Sequence, residues 1–171
     1  MFLGDAVWEI DRTGQQPPRQ IAKDIGGFNG FEVGSDGWLY GPLWFKGQIV
    51  RINPADGDIK VISSDFTIPA AANFDSKGNL YAIDTFHGQL KQVDQNNGQT
   101  RLVAQLYSSL DNLALDAQDR IYVSNMANNR ITRVNPQTGD TRQIVGGDLA
   151  VPAGLALSED GKTLYVADVF A

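Results

Sequence analysis

Four tyrosines in this chain occupy the same place in a recurring phrase. Tyr40, Tyr81, Tyr122 and Tyr165 are spaced 41, 41 and 43 residues apart, and each follows a tight turn. The turns read Ser35-Asp36-Gly37, Ser76-Lys77-Gly78, Ala117-Gln118-Asp119 and Glu159-Asp160-Gly161, with Trp38-Leu39, Asn79-Leu80, Arg120-Ile121 and Thr163-Leu164 leading into the tyrosines. Later in each copy comes Val50-Arg51-Ile52-Asn53, Lys91-Gln92-Val93-Asp94 or Thr132-Arg133-Val134-Asn135, and Trp8-Glu9-Ile10-Asp11 is an earlier copy of the same strand. A glycine turn follows each of these, at Gly14, Gly57, Gly98 and Gly139, and then a fourth apolar stretch such as Ile59 to Ile62. Four short strands in a unit of roughly 40 residues is the period of a β-propeller blade. The apolar runs are too short for helices, and no segment shows ten residues of helical periodicity. A β-sandwich would need no fixed period.

The expected fold is therefore all-β, a propeller of four-stranded antiparallel blades forming one domain over 1–171. Three whole blades fall at about 28–68, 69–109 and 110–151, with half blades at 1–27 and 152–171. The first half supplies third and fourth strands and the second supplies first and second strands. Two geometries follow: the halves pair with each other and close a small ring, or the chain is a section of a larger propeller. Free blade edges would then favour self-association.

Composition supports the turns and excludes several partners. Many of the 18 glycines and 7 prolines lie at or near the turns. Net charge is −6, and the 14 basic residues are scattered, which argues against nucleic acid or an anionic membrane surface. No apolar run reaches the length of a membrane span, and Met1 to Asp5 lacks the basic start and long apolar core of a signal peptide. A soluble protein is expected, with its compartment open. Without cysteine there is no disulfide framework or thiolate metal site.

In a propeller the inter-blade loops and the loops between second and third strands share one face, where positions from successive blades converge. The residue entering each first strand is Asn29, Ala70, Asp111 or Ala153. Asn29 and Asp111 are oxygen donors of the kind calcium or magnesium prefers, or they cap the turns. The second loop set offers Trp44, Phe45, Phe86 and the single histidine, His87, as pocket walls and as an acid or base. Asp84, Asn125 and Asp168 close the second strands in equivalent positions, where a polar side chain fastens the loop to backbone or lines the pocket. No Ser–His–Asp set, phosphate loop or HExxH pattern is present.

The segments Asn29-Gly30-Phe31, Leu110-Asp111-Asn112-Leu113-Ala114-Leu115-Asp116 and Pro152-Ala153-Gly154-Leu155-Ala156-Leu157-Ser158, with Leu164-Tyr165-Val166-Ala167-Asp168, resemble the senescence-marker-protein/gluconolactonase family. Paraoxonases and strictosidine-synthase-like proteins are more distant relatives. The resemblance implies a six-bladed propeller with a divalent metal, most often calcium, and hydrolysis of a small-molecule lactone or ester. It implies metal ligands at Asn29, Asp111 and Asn112, with Asp111 activating the attacking water. The bound cation would lower the pKa of that water and stabilise the oxyanion. His87 would assist catalysis, and Trp44, Phe86, Asn125 and Asp168 would shape the pocket. Ala70 and Ala153 depart from the family's asparagines, and the family's glutamate ligand has no counterpart. These departures imply weakened activity, or a non-catalytic module that binds a small ligand or a protein.

Overall fold

The computed structural model describes residues 5–170. Blade one is β3 (Glu32–Val33), β4 (Leu39–Leu43), β5 (Gln48–Ile52) and β6 (Ile59–Ser63), hydrogen-bonded in that order. Blade two is β7 (Pro69–Phe74), β8 (Leu80–Asp84), β9 (Gln89–Val93) and β10 (Thr100–Gln105). Blade three is β11 (Leu110–Leu115), β12 (Ile121–Asn125), β13 (Arg130–Val134) and β14 (Thr141–Gly146). Flanking them are two half blades, β1 (Ala6–Glu9) with β2 (Arg19–Lys23), and β15 (Pro152–Leu157) with β16 (Leu164–Asp168). All pairings within the blades are antiparallel, as the repeat requires. The half blades form two separate two-stranded sheets, so they do not pair with each other to close a small ring. The leader expectation rests mainly on residues 1–4, which lie outside the described residues. Among the described residues no helix is long and apolar enough to cross a membrane.

Register explains why the period is strict. Leu39 pairs with Ile52, Leu80 with Val93 and Ile121 with Val134, so each blade presents the same apolar pair at the same height. These pairs are buried in the seams between neighbouring blades. Val7, Ile25, Leu39 and Ile52 fill the first seam, Tyr40, Ile49, Phe66 and Leu80 the second, and Ile83, Leu90, Leu113 and Ile121 the third. Strand β8 is buried along its whole length because a blade covers each of its faces. The turn glycines tighten the stack: Gly57, Gly98 and Gly139 have φ of 78°, 74° and 77°. A Cβ at Gly57 would lie 2.4 Å from the Ile21 carbonyl and one at Gly98 2.3 Å from that of Ile62, so both the conformation and the neighbouring blade demand glycine.

The repeated tyrosines take equivalent places. Tyr40, Tyr81 and Tyr122 each donate a hydroxyl hydrogen bond to a turn aspartate, Asp36 at 2.9 Å, Asp75 at 3.4 Å and Asp116 at 3.1 Å. Burial, reinforced by Asp75, raises the Tyr81 phenol to about 12, which keeps it a donor. Tyr165 holds the same strand position but is 62% exposed, because among the described residues no further blade packs on β16.

Replacing Ile121, fully buried in the third seam, by alanine should cost about 2–5 kcal/mol, the usual range for an Ile-to-Ala cavity. Thermal unfolding should show a midpoint lower by roughly 5–15 °C for a chain of this size. An unchanged midpoint would contradict the seam as the source of stability.

Candidate functional site

The position entering each first strand is built by a repeated irregularity. Phe28, Pro69, Leu110 and Pro152 pair with Leu43, Asp84, Asn125 and Asp168, the residues that end the second strands. Pairing then skips two residues in the last three copies, resuming at Ala72, Leu113 and Leu155. The skipped pairs are Ala70-Ala71, Asp111-Asn112 and Ala153-Gly154, and a bulge of this kind re-aims its side chains. Hydrogen bonds tie these entry segments together in pairs along a common rim. Gly30 donates to Ala70 O at 3.1 Å, Ala72 donates to Gly30 O at 2.9 Å, and Ser124 Oγ accepts from Asn112 N and donates to Ala153 O at 2.7 Å.

Asp111 stands out on this rim. It is partly buried, and among the described residues no group donates a hydrogen bond to its carboxylate. Burial alone pushes its carboxyl above the ordinary value. Asn112 beside it lines a cleft of about 370 Å³ with Asn73, Phe31, Leu113 and Leu155, walled by first strands of successive blades. Asn73, which the sequence reading did not single out, turns its amide to donate to Leu113 O and Ala72 O.

The other expected residues have different surroundings. Asp84 is fully buried and accepts from the backbone N–H of Thr67 at 2.8 Å, Phe86 at 3.1 Å, and Ile68 and His87 at 3.3 Å. Asn125 donates to Tyr107 O and Ser108 O and accepts from Ala127 N and Asn128 N. Asp168 accepts from Val151 N and Ala150 N, which hold its carboxyl below the usual range. All three fasten loops. His87 is exposed and engages Thr67 Oγ1 through Nε2 at 2.9 Å, in a rim cleft with Asp65, Phe66 and Lys91 that includes neither Asn29 nor Asp111. Phe86 is exposed with its ring edge-on to His87, and Trp44 packs against the seam between blades two and three.

The rim does not fit a calcium ion on its own residues. Two of its four equivalent positions are alanines, and calcium takes six to eight oxygen ligands. Among the described residues no cluster of three acidic or histidine side chains is poised to hold a metal.

The family model described as the SMP-30/Gluconolactonase/LRE-like region matches residues 25–147, well over half of the chain, and the chain belongs to that family. Solved structures agree on the fold. Virginiamycin B lyase from Staphylococcus aureus superposes with a TM-score of 0.76 at 16% identity, over 98% of this chain and 58% of its own. A nidogen/laminin complex gives 0.79 at 15%, over 88% and 60%. A gluconolactonase from Xanthomonas campestris gives 0.72 at 17%, over 82% and 54%. The chain thus spans little more than half the length of these structures. No curated protein matches it.

Because burial raises the Asp111 carboxyl, the folded chain holds that proton more tightly than the unfolded chain does. The stability this gives is present in acid, below the ordinary value of 3.8, and is lost as the pH rises through the folded value. Asp111→Asn should therefore raise the unfolding midpoint by a few degrees at pH 7 and leave it near wild type at pH 3. Added calcium should leave the wild-type midpoint unchanged. A calcium shift that Asp111→Asn abolishes would show that the rim binds the ion.

Proposed function

We propose that this chain carries part of the site of a lactone- or ester-hydrolysing propeller, with Asp111 as general base. The observation that supports this most is the state of its carboxylate: partly buried, unpaired and raised in pKa beside an asparagine that lines a cleft. Burial that destabilises a carboxylate makes it a stronger base, and such perturbed groups cluster at active sites. A water held by Asp111 would attack the lactone carbonyl carbon while Asp111 takes its proton. The amide of Asn112 would donate to the oxyanion as it forms. Collapse of the tetrahedral intermediate would break the ring C–O bond, and Asp111 would return the proton to the leaving alkoxide. Membership of the family and the likeness to a gluconolactonase support this substrate class. His87 has no part in this scheme, since its imidazole engages Thr67 in the rim cleft.

The rival reading is a propeller module without catalysis. Ala70 and Ala153 favour it, because they leave two rim positions without a functional group. Hydrolysis of δ-valerolactone followed by pH-stat separates the two. The wild type should exceed the spontaneous rate, and Asp111→Asn should lower its rate by about 10²–10⁴-fold, the usual loss on removing a general base. A wild-type rate equal to the spontaneous one would leave the module reading standing.

We also propose that copies of the chain associate through complementary edges. Among the described residues β1 has no second-strand neighbour and β16 no third-strand neighbour, and Trp8, Ile10 and Tyr165 are exposed beside them. The register of the whole blades would set Leu164 against Ile10. Analytical ultracentrifugation should show a particle of twice the chain mass, and a single-chain mass at all concentrations would refute the pairing.

A further inference from the structure

Asp84 holds two loops at once, and through them it sets a hydroxyl against an imidazole. Thr67 lies on the loop between blades one and two, and His87 on the loop between β8 and β9. Their backbone N–H groups donate to this one buried carboxylate at 2.8 and 3.3 Å. Their side chains meet beyond it, with Thr67 Oγ1 2.9 Å from His87 Nε2. Both residues are exposed, so the pair is open to a molecule from solution.

Stacking does not require this contact. The same two positions are Gly26 and Lys46 one seam earlier, and Ser108 and Asn128 one seam later. A Cβ at Gly26 would lie 2.9 Å from carbons of Lys46, so the two positions face each other in that seam also. One of these seams has an amine without a hydroxyl and the other a hydroxyl without a base, and both close. The loops at Thr67 and His87 are already fastened by Asp84.

The pair borders a cleft of about 260 Å³ that Lys91 also lines. An ammonium has three donors, and Asp65 takes two of them, through its carbonyl oxygen at 2.6 Å and Oδ2 at 3.4 Å. A nucleophile within hydrogen-bond reach of a base, beside a cation, is the arrangement that covalent acyl transfer needs.

We propose that Thr67 and His87 are the nucleophile and general base of a covalent esterase site for small aryl esters. With the ring proton on Nδ1, Nε2 takes the hydroxyl proton as Thr67 Oγ1 attacks the ester carbonyl carbon. The remaining N–H of Lys91 meets the oxyanion. Collapse breaks the bond from that carbon to the aryl oxygen, and the phenol leaves with the proton from His87. Water then attacks the acyl carbon and gives a proton to His87. Thr67 Oγ1 departs, takes that proton back, and the carboxylic acid is released. Aryl esters suit the site because a phenolate leaves far more readily than an alkoxide. The cleft includes neither Asn29 nor Asp111, and the proposal does not rest on the lactonase reading.

The test mixes p-nitrophenyl acetate with the full chain, follows p-nitrophenolate release, and maps trapped acetyl by peptide mass spectrometry after an acid quench. Release should exceed the spontaneous rate, with the acetyl on Thr67. His87→Gln should slow release about 10²–10⁴-fold, the usual loss on removing a general base. Thr67→Val should abolish the enhancement and Thr67→Ser should keep it, each with an unfolding midpoint near that of the wild type. Release at the spontaneous rate, or acetyl confined to lysine side chains, would overturn the proposal. So would release that persists in Thr67→Val, since the imidazole would then be attacking the ester itself.

Discussion

The fold depends on how each second strand ends. The backbone must leave the blade, cross a loop and return, while the chain entering that blade runs beside it, and both segments carry polar groups that water reaches poorly. Asp84 answers this with one carboxylate that takes four backbone N–H groups from the two loops at once. A buried carboxylate is costly unless fully hydrogen-bonded, and here the peptide groups supply that bonding. The clamp thereby fixes the angle at which the next blade leaves. Asp168 repeats it with two N–H donors from Val151 and Ala150. Leu43, at the same place in blade one, cannot clamp; a 3₁₀ turn at Trp44–Lys46 and backbone bonds from Trp44 and Phe45 to Gly27 and Gly26 replace it.

With the exit angle fixed, the seams become repetitive, and repetition sets what the sequence can vary. Each seam needs the same apolar pair at the same height and a glycine where a turn meets the preceding blade's carbonyl. Departures require a local substitute. Asp119 replaces the glycine of the first turn at a φ of 60°, and its carboxylate then accepts from Ser76 N and Oγ in the neighbouring blade. Aspartate tolerates that conformation better than most residues, and the added inter-blade bonds offset the remaining strain.

This explains what the sequence disclosed. The blades were legible because turn, tyrosine and apolar pair recur at a fixed offset, and each has a physical reason to recur. The rim positions were legible for the same reason: Asn29, Ala70, Asp111 and Ala153 could be aligned without knowing where their side chains go. What stayed hidden depends on direction, not spacing. Exchanging Asp84 for Asn125 keeps the clamp but reverses donor and acceptor toward the inter-blade loop, which turns that loop over and exposes Tyr107, and no periodicity reports that. His87 drew attention as the only histidine, yet its role follows from Thr67 across the seam. Asn73 was unremarkable as a letter, and only packing gives it a cleft to face.

In a repeat protein, residues that recur are explained by stacking, so chemistry is best sought where equivalent positions disagree. Asp111 is such a place: three of the four rim positions carry a neutral residue, and the fourth carries an unpaired carboxylate that the fold does not use. The seam at Asn128 is another, where an amide replaces the clamping carboxylate and a buried acceptor is left without a partner among the described residues. Both disagreements cost stability locally, one through an unsatisfied charge and one through an unsatisfied acceptor, with no compensating bond among the described residues. Native structures retain such costs mainly at functional sites.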